Sequence, residues 1–468
     1  MNKGVRVRFA PSPTGHLHIG GLRTALFNWL FAKHHGGTFL LRIEDTDLER
    51  SKDEYTQAIY QAFAWVGIHT DEQPLIQSQR FSLYKEIAED LISQEKAYRC
   101  ACTPEQVEAR ARQAGVVGEY HGGYDGHCRF KEIEESQGTA IRFVIPEHTQ
   151  TFAWNDAIRG IISFERSQLD DFVIIRSDGT PTYNFCVVID DYASAITHVI
   201  RGEDHISNTP KQIALYQELD YALPVFAHIP MILGADGNKL SKRDGAVDVV
   251  AYRAMGYLPD ALVNYIVRLG WAYGDQEVFT QEELIKYFTL EAVGKKPSVF
   301  DYTKLEWLNS LYMRSCTAEM LRDLIVATID TAFLEKLAPW SLDEILKAVT
   351  LYKERTKNLV ELANVIVALR HAPTEYIETD IAACTTSETP QHLTDIIDMM
   401  GAHSMVELHD CVKNYCKDKG FKLVAIAQPI RIALTGGATS PGIFDLLTLL
   451  GKEESIIRLQ ALQAKLSK

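Results

Sequence analysis

Between Val5 and Leu30 the chain runs from strand to break to helix without a spacer, and that order dictates an α/β beginning. Val5-Arg6-Val7-Arg8-Phe9-Ala10 alternates and carries Val and Phe, the pattern of a strand entering a sheet. Pro11, Pro13 and Gly15 end it. After Gly21, the residues Leu22, Ala25, Leu26, Trp29 and Leu30 recur at helical spacing on one apolar face. The junction reads His16-Leu17-His18-Ile19-Gly20-Gly21. Glycines at a helix start let a ligand approach the backbone, where open N–H groups and the positive dipole end favour phosphate. His16 and His18, two apart in an extended loop, project to one side and can donate to phosphate oxygens that gain charge during displacement at phosphorus. Alone, the junction is as often an ordinary turn carrying a loop histidine.

A second stretch supplies the other part of such a site. The apolar run Ile229 to Leu233 reads as a strand, Gly234-Ala235-Asp236-Gly237-Asn238 as a turn, and Lys239-Leu240-Ser241-Lys242-Arg243 as a basic loop. Compact ammonium groups on such a loop can close over a triphosphate and neutralise it in the transition state. A basic loop is usually just solvated surface, and only the conjunction of the two stretches points to ATP. The candidate catalytic set is His16, His18, Gly20, Gly21, Lys239, Ser241 and Lys242. Pro11, Ser12, Thr14, Gly15, Leu240 and Arg243 join the glycines, His18 and the basic loop as nucleotide contacts.

A chain of 468 residues exceeds what one core usually supports, and a 46% hydrophobic content supplies more than one. No long apolar run suggests a membrane span, and Met1-Asn2-Lys3-Gly4 lacks an apolar signal segment. Eight cysteines at irregular spacing suit reduced thiols or metal ligands, so the cytoplasm is the expected compartment and no membrane partner is expected. A formal charge of −14 argues at first against nucleic acid. Net charge is only a sum, and basic residues gather at Lys295-Lys296, Lys353 to Lys357, Lys413 to Lys422 and Arg431, each more often a solvated helix face than an RNA contact.

Strand and helix alternate from Val5 to about Gln79, half of a parallel nucleotide-binding sheet. From Arg80 to Asp170 the texture becomes helical and charged, with a glycine-rich stretch from Gly115 to Gly126, and reads as an insertion. Phe172-Val173-Ile174-Ile175, Phe185-Cys186-Val187-Val188-Ile189 and Ile196 to Ile200 read as strands that resume the sheet. Beyond Gly245 the periodicity is helical almost to the end.

With these segments in place, the chain resembles the bacterial-type glutamyl-tRNA synthetases, class I aminoacyl-tRNA synthetases. His18-Ile19-Gly20-Gly21 and Lys239 to Arg243 match the two ATP motifs of that family, HIGH and KMSKS. Arg42 to Asp47, Pro181 to Phe185, Ile200 to His205 and Lys304 to Asn309 also look like family patterns. The resemblance implies an α/β class I Rossmann-type catalytic domain with an inserted acceptor-binding domain, followed by all-α stem-contact and anticodon-binding domains. The divisions expected are 1–79 and 171–244 for the catalytic halves, 80–170 for the insertion, 245–320 for stem contact and 321–468 for the anticodon. It further implies ATP with magnesium, L-glutamate and tRNA(Glu) as reactants, a monomer, and a reaction through glutamyl-adenylate. Charging of tRNA(Gln) as well remains an alternative, as does a paralogue that binds RNA without chemistry. Glutaminyl-tRNA synthetase would be expected to end in β-barrels, and a small-molecule nucleotidyltransferase would not need the long helical tail.

Carried over position by position, the glutamate pocket comprises Arg8, Ala10, Ser12, Glu44, Tyr183 and Arg201. Glu44 would bind the ammonium group, although an acidic residue there also suits helix capping with Asp45, Thr46 and Asp47. Arg201 would select glutamate over glutamine, because a guanidinium fork matches a carboxylate better than an amide. An internal ion pair of Arg201 with Glu203 or Asp204 has equal standing from the sequence. Val187 stands where some relatives have a polar residue. Cys100, Cys102 and Cys128 resemble a zinc site lacking one ligand, for which Tyr124 and His127 are substitutes, since Phe130 stands where some relatives have histidine. Free buried thiols are the other reading. Cys186, Cys316, Cys384, Cys411 and Cys416 are expected to be packing residues.

Overall fold

The computed structural model describes residues 4–113, 123–134, 138–240 and 248–467. The chain divides into two compact units, one of residues 1–251 with 262–301, the other of residues 252–261 with 302–468.

In the first unit, β1 (Arg6–Phe9) leads into α1 (Ile19–His34), β2 (Thr38–Ile43), α2 (Asp53–Val66) and the short β3 (Leu75–Ile76). β2 lies between β1 and β3, parallel to both, with Arg8 opposite Leu40 and Arg42 opposite Leu75. Further along come α3 (Phe81–Ser93), β4 (Ala97–Cys100), α4 (Pro104–Gln113), β5 (Ala140–Phe143), β6 (Thr151–Asp156), β7 (Gly160–Glu165), β8 (Val173–Ile175) and α5 (Tyr183–Ala193). The parallel sheet resumes at β9 (His198–Gly202), followed by α6 (Thr209–Glu218) and β10 (Val225–Ile229), which pairs parallel with β9. Arg6 accepts from Thr197 N–H at 2.9 Å and donates its own N–H to Thr197 Oγ1 at 2.9 Å, so β9 enters the sheet on the free side of β1. The strand order reverses between β1 and β9, the place where parallel sheets open a crevice at their carboxyl ends.

Phe185 to Ile189 is not a strand but the middle of α5. All five side chains are buried, and Asp190 and Asp191 behind them are buried too. A helix wrapped on all sides leaves no polar face for periodicity to reveal, so a short apolar run reads equally as a core strand. Val173 to Ile175 is a strand, but it pairs antiparallel with β5 in the sheet β4-β5-β8, outside the parallel sheet. The segment 80–170, expected to be helical and charged, also holds four strands, with β6 and β7 forming a hairpin. Much of the Gly115 to Gly126 stretch lies outside the described residues.

α1 is likewise buried around most of its circumference rather than along the single stripe expected, with Phe27, Asn28 and Phe31 enclosed as well as Leu22, Ala25 and Leu26. Asn28 donates to Thr24 O at 2.8 Å and Ile200 O at 2.9 Å, which ties α1 to β9. The second unit is all helix among its described residues, with Met313, Leu321, Ile366, Ile396, Ile430, Leu446 and Leu462 in one core. No helix among the described residues is long and apolar enough to cross a membrane.

Candidate active site

A cavity of about 540 Å³ opens at the carboxyl ends of β1, β9 and β10, beside the start of α1. Of the residues expected from the sequence, Arg8, Ala10, Pro11, Ser12, Gly15, His16, His18, Gly20, Gly21, Glu44, Tyr183, Arg201, Lys239 and Leu240 line it together. Thr14 does not; its N–H closes a turn on Ser12 O at 2.9 Å. Ser241, Lys242 and Arg243 lie outside the described residues. The wall also contains Arg23, Glu203, Asp204 and His205, which are additional to the residues expected from the sequence.

At the helix end of the cavity, His18 is the N-cap of α1, in extended backbone, and its Nδ1 accepts from Gly21 N–H at 3.1 Å. That bond uses the Nδ1 lone pair, which in a neutral ring places the proton on Nε2. The glycines answer first to this packing. A Cβ on Gly20 would stand 3.1 Å from the His18 ring, and one on Gly21 would stand 2.7 Å from Leu17 Cδ1. The expectation that their N–H groups serve phosphate is thus narrowed, because the Gly21 N–H is taken by His18. His16 is half exposed, with Nδ1 3.1 Å from Asp248 Oδ2 and its ring edge-on to Tyr55. Lys239 Nζ lies 3.6 Å from Asp204 Oδ2.

The opposite end is held by buried charge. Arg8 binds Asp191 with Nε at 2.9 Å and Nη2 at 3.2 Å; Arg42 Nη1 reaches the same carboxylate at 2.5 Å while its Nε and Nη2 bind Glu44 Oε1 at 3.3 and 3.0 Å. Burial pushes the Asp191 carboxyl up, but the Arg42 and Arg8 guanidiniums outweigh it and hold the group below its ordinary value. Burial wins at Glu44, whose carboxyl is raised despite Arg42 and Arg8. Glu44 caps nothing. The local turn work falls to Asp45, which accepts from Ser78 N and Oγ, and to Asp47, which accepts from Arg50 N.

Arg201 is buried, and burial lowers its guanidinium below the ordinary value. Its partners are neutral: Nε donates to His228 Nε2 at 3.1 Å, Nη1 to Gln212 Oε1 at 2.8 Å, and Nη2 to Thr209 Oγ1 at 2.8 Å. The internal ion pair left open by the sequence is not formed with either neighbour. Glu203 is engaged by Arg159 and Met231 N–H, and Asp204 faces Lys239. A buried cation satisfied only by dipoles is costly until an anion joins it. Tyr183, the first residue of α5, places its hydroxyl 3.2 Å from His205 Nδ1. His205 is pushed down to about 4, by burial first and then by Arg201. Val187 packs in the core and does not line the cavity.

A separate cluster lies at the end of β4 and in the segment that follows it. Cys100, Cys102 and Cys128 hold their sulfurs within 4.8 Å of one another, and Tyr124 Oη is 3.4 Å from Cys100 Sγ and 3.8 Å from Cys102 Sγ. Of the two substitutes for the missing ligand, Tyr124 meets the thiols, whereas exposed His127 faces Lys131 Nζ at 2.6 Å. All described cysteines are free of disulfides, and Cys186 and Cys416 are packed in cores.

Residues 4–307 match the family model described as tRNA synthetases class I (E and Q), catalytic domain, and residues 332–463 match an anticodon binding domain. The chain is 48% identical over 465 residues to the glutamate–tRNA ligase of Thermodesulfovibrio yellowstonii, covering 97% of this chain and 98% of that protein. The glutamate–tRNA ligase of Geobacter sulfurreducens is 46% identical, with 97% and 98% covered. A crystal structure of a glutamate tRNA ligase from Elizabethkingia meningosepticum in complex with its amino acid superposes with a TM-score of 0.88 at 32% identity, covering 99% of this chain and all of that one. On its cavity, its two units and these likenesses, the chain belongs to the class I tRNA synthetases of the E and Q type, in the glutamate–tRNA ligase branch.

Proposed function

We propose that the chain joins L-glutamate to the 3′-terminal adenosine of tRNA(Glu) at the expense of ATP, acting as a monomer in the cytoplasm. The observation that carries this reading is Arg201, a buried guanidinium met by neutral acceptors in the same cavity as His18. The side-chain carboxylate of glutamate supplies the anion that Arg201 lacks. Arg42 engages Oε1 of Glu44, which leaves Oε2 for the α-ammonium group. Arg8, fixed through Nε and Nη2 on Asp191, keeps Nη1 for the α-carboxylate. Ala10, Ser12 and Tyr183 shape the space between.

An α-carboxylate oxygen of glutamate attacks the α-phosphorus of ATP, the bond from that phosphorus to the pyrophosphate oxygen breaks, and pyrophosphate leaves with the electron pair. His18 Nε2–H and His16, with Lys239 and the family's Ser241-Lys242-Arg243, stabilise the charge that develops on the phosphates. A ribose hydroxyl of the terminal adenosine then attacks the glutamyl carbonyl carbon, its proton passes to the AMP phosphate, and AMP departs with the electrons of the cleaved carbon–oxygen bond. Magnesium would arrive on the phosphates of ATP, since the only grouping of three or more ligand side chains among the described residues is the cysteine cluster. That cluster fits zinc: tetrahedral thiolate coordination sets sulfurs about 3.8 Å apart, and Cys102 and Cys128 stand at 3.4 Å. Cys100, Cys102, Cys128 and Tyr124 would hold the ion, which would staple the inserted segment. The insertion at 80–170 is assigned to the acceptor end of tRNA, residues 245–320 to its inner stem and residues 321–468 to the anticodon.

The test is transfer of radiolabelled glutamate with ATP to purified tRNA(Glu) and, in parallel, to tRNA(Gln). Charging of tRNA(Glu) is expected; no transfer to either acceptor would contradict the assignment.

A further inference from the structure

Arg201 is itself held from behind by residues that belong to neither ATP motif. Its Nε–H points at His228 Nε2, 3.1 Å away, and His228 Nδ1 lies 2.5 Å from Asp156 Oδ2. All three side chains are buried, His228 completely. Asp156 comes from the end of β6, His228 from β10 and Arg201 from β9, so the line Asp156–His228–Arg201 runs from the inserted hairpin to the cavity wall.

The proton positions follow from the partners. Asp156 Oδ1 accepts N–H bonds from Ile158, Arg159 and His228, and its Oδ2 meets Trp154 Nε1 at 3.4 Å as well as His228 Nδ1. A carboxylate surrounded by donors is an anion, and His228 Nδ1 must therefore carry the proton. The opposite nitrogen faces a guanidinium, which can only donate, so Nε2 must be bare. The imidazole is neutral and in one tautomer. Burial, followed by the nearby Arg201, keeps the ring below its ordinary value, and the Asp156 hydrogen bond does not reverse this. A protonated His228 would aim an N–H at the Arg201 Nε–H and expel the fork from its place.

We propose that Asp156 and His228 are positioning residues for Arg201: the carboxylate fixes the His228 tautomer, and the bare Nε2 then fixes the plane of the guanidinium for a carboxylate side chain in the amino-acid subsite. This rests on the reading of Arg201 given above. Gln212 Oε1 and Thr209 Oγ1 occupy one edge and one end of the same fork. With Nε also tied down and Nη2 donating to His205 O at 3.5 Å as well as to Thr209, the guanidinium keeps a single orientation in which its Nη1 edge meets a carboxylate. The hairpin tip is locked where it must be for this: Ala157 N–H donates to Phe226 O at 2.8 Å, and Arg159 bonds His228 O and Glu203.

The experiment is steady-state charging of tRNA(Glu) by the full chain and three variants, with glutamate, ATP and tRNA varied in turn and glutamine as competitor. His228→Leu removes the acceptor and is expected to raise KM for glutamate at least tenfold and to weaken discrimination against glutamine, with KM for ATP and tRNA within twofold. His228→Gln can accept from Arg201 through its oxygen and donate to Asp156 through its nitrogen, and should restore KM for glutamate to within about threefold of the parent. Asp156→Asn releases the tautomer and should fall between. If His228→Leu does not fold, Asp156→Asn is read the same way. An unchanged KM for glutamate in the folded broken variant, or equal rises for all three substrates, would overturn the proposal. A parent chain that leaves tRNA(Glu) uncharged, or an Arg201→Lys variant with parental KM for glutamate, would instead bring down the reading of the site, and the proposal with it.

Discussion

At the scale of single residues, the proposed function divides the cavity between His18 at the start of α1 and Arg201 on β9. His18 Nδ1 accepts from the Gly21 N–H at the start of α1. Replacing it with Ala removes the proposed transition-state donor and the N-cap together. We expect kcat to fall by about 10²- to 10³-fold, as for removal of one oxyanion donor, with KM for glutamate within twofold; a rise in that KM alone would contradict the placement of His18 at the phosphate end. Arg201→Ala removes a buried charge partner, a change of about 2–5 kcal/mol, and should lower kcat/KM for glutamate by at least thirtyfold through KM. Steady-state titration of glutamate checks both. That His18 and Arg201 come to one cavity was legible from their motifs. Asp191, Asp156 and His228 were not, because each acts on a partner far away in sequence: Asp191 is 183 residues from Arg8, and Asp156 is 72 from His228. An aspartate following an apolar run carries no local mark of the guanidinium it will meet.

Elements show a different division between what is legible and what is not. β1, α1 and β2 follow directly from alternation, breaker residues and helical spacing, and the parallel pairing of β1 with β2 follows from the helix between them. α5 reads as a strand in the sequence because its middle has no polar face. It is enclosed by core on its apolar residues and by Arg8, Arg42 and Arg80 on Asp190 and Asp191, so every face is satisfied by distant parts of the chain. In the helical unit, Arg458 does comparable work. It is fully buried and donates to Leu434 O at 2.8 Å and Leu369 O at 2.9 Å, closing the carboxyl ends of the helices Val424–Thr435 and Leu359–Arg370. Arg458→Met should fit the space but strand two carbonyls and the Glu454 carboxylate, costing about 2–4 kcal/mol; a denaturant midpoint equal to that of the parent would refute this. Gly256 is constrained more sharply, with φ at +83° and a Cβ site only 2.6 Å from Val360 N. Neither demand can be read from a glycine in a turn without knowing what packs on it.

For the whole molecule, the change of texture near residue 245, from mixed α/β to almost wholly helical, was visible in hydrophobic periodicity, whereas the strands of the inserted segment were obscured by charge and by short length. The pH dependence of stability belongs to this scale. His198, His205 and His228 all have values lowered from 6.5 by burial. Below pH 6.5 the unfolded chain takes up protons that the folded chain refuses, so stability is full above that pH and is lost as the pH falls through the lowered values. Asp156, held down to about 2 against burial by His228 and backbone donors, adds its loss only as the pH drops from 3.8 towards that value. The thermal midpoint should therefore decline between pH 7 and 5, well before carboxylates titrate; a midpoint that rises over that interval would contradict these assignments. Zinc enters here too. Metal analysis of protein purified without chelator should give one ion per chain, lost in Cys128→Ser, and a metal-free parent would remove the site.

The central claim is that one cavity presents Arg201 to the side chain of glutamate and His18 to the phosphate joined to it. A crystal structure with a non-hydrolysable glutamyl-adenylate analogue tests it most directly. The account predicts the side-chain carboxylate hydrogen-bonded to the Arg201 guanidinium and the phosphate replacement within hydrogen-bonding reach of the His18 ring. An analogue seated with its side-chain carboxylate turned away from Arg201, or with its phosphate replacement remote from the start of α1, would contradict it.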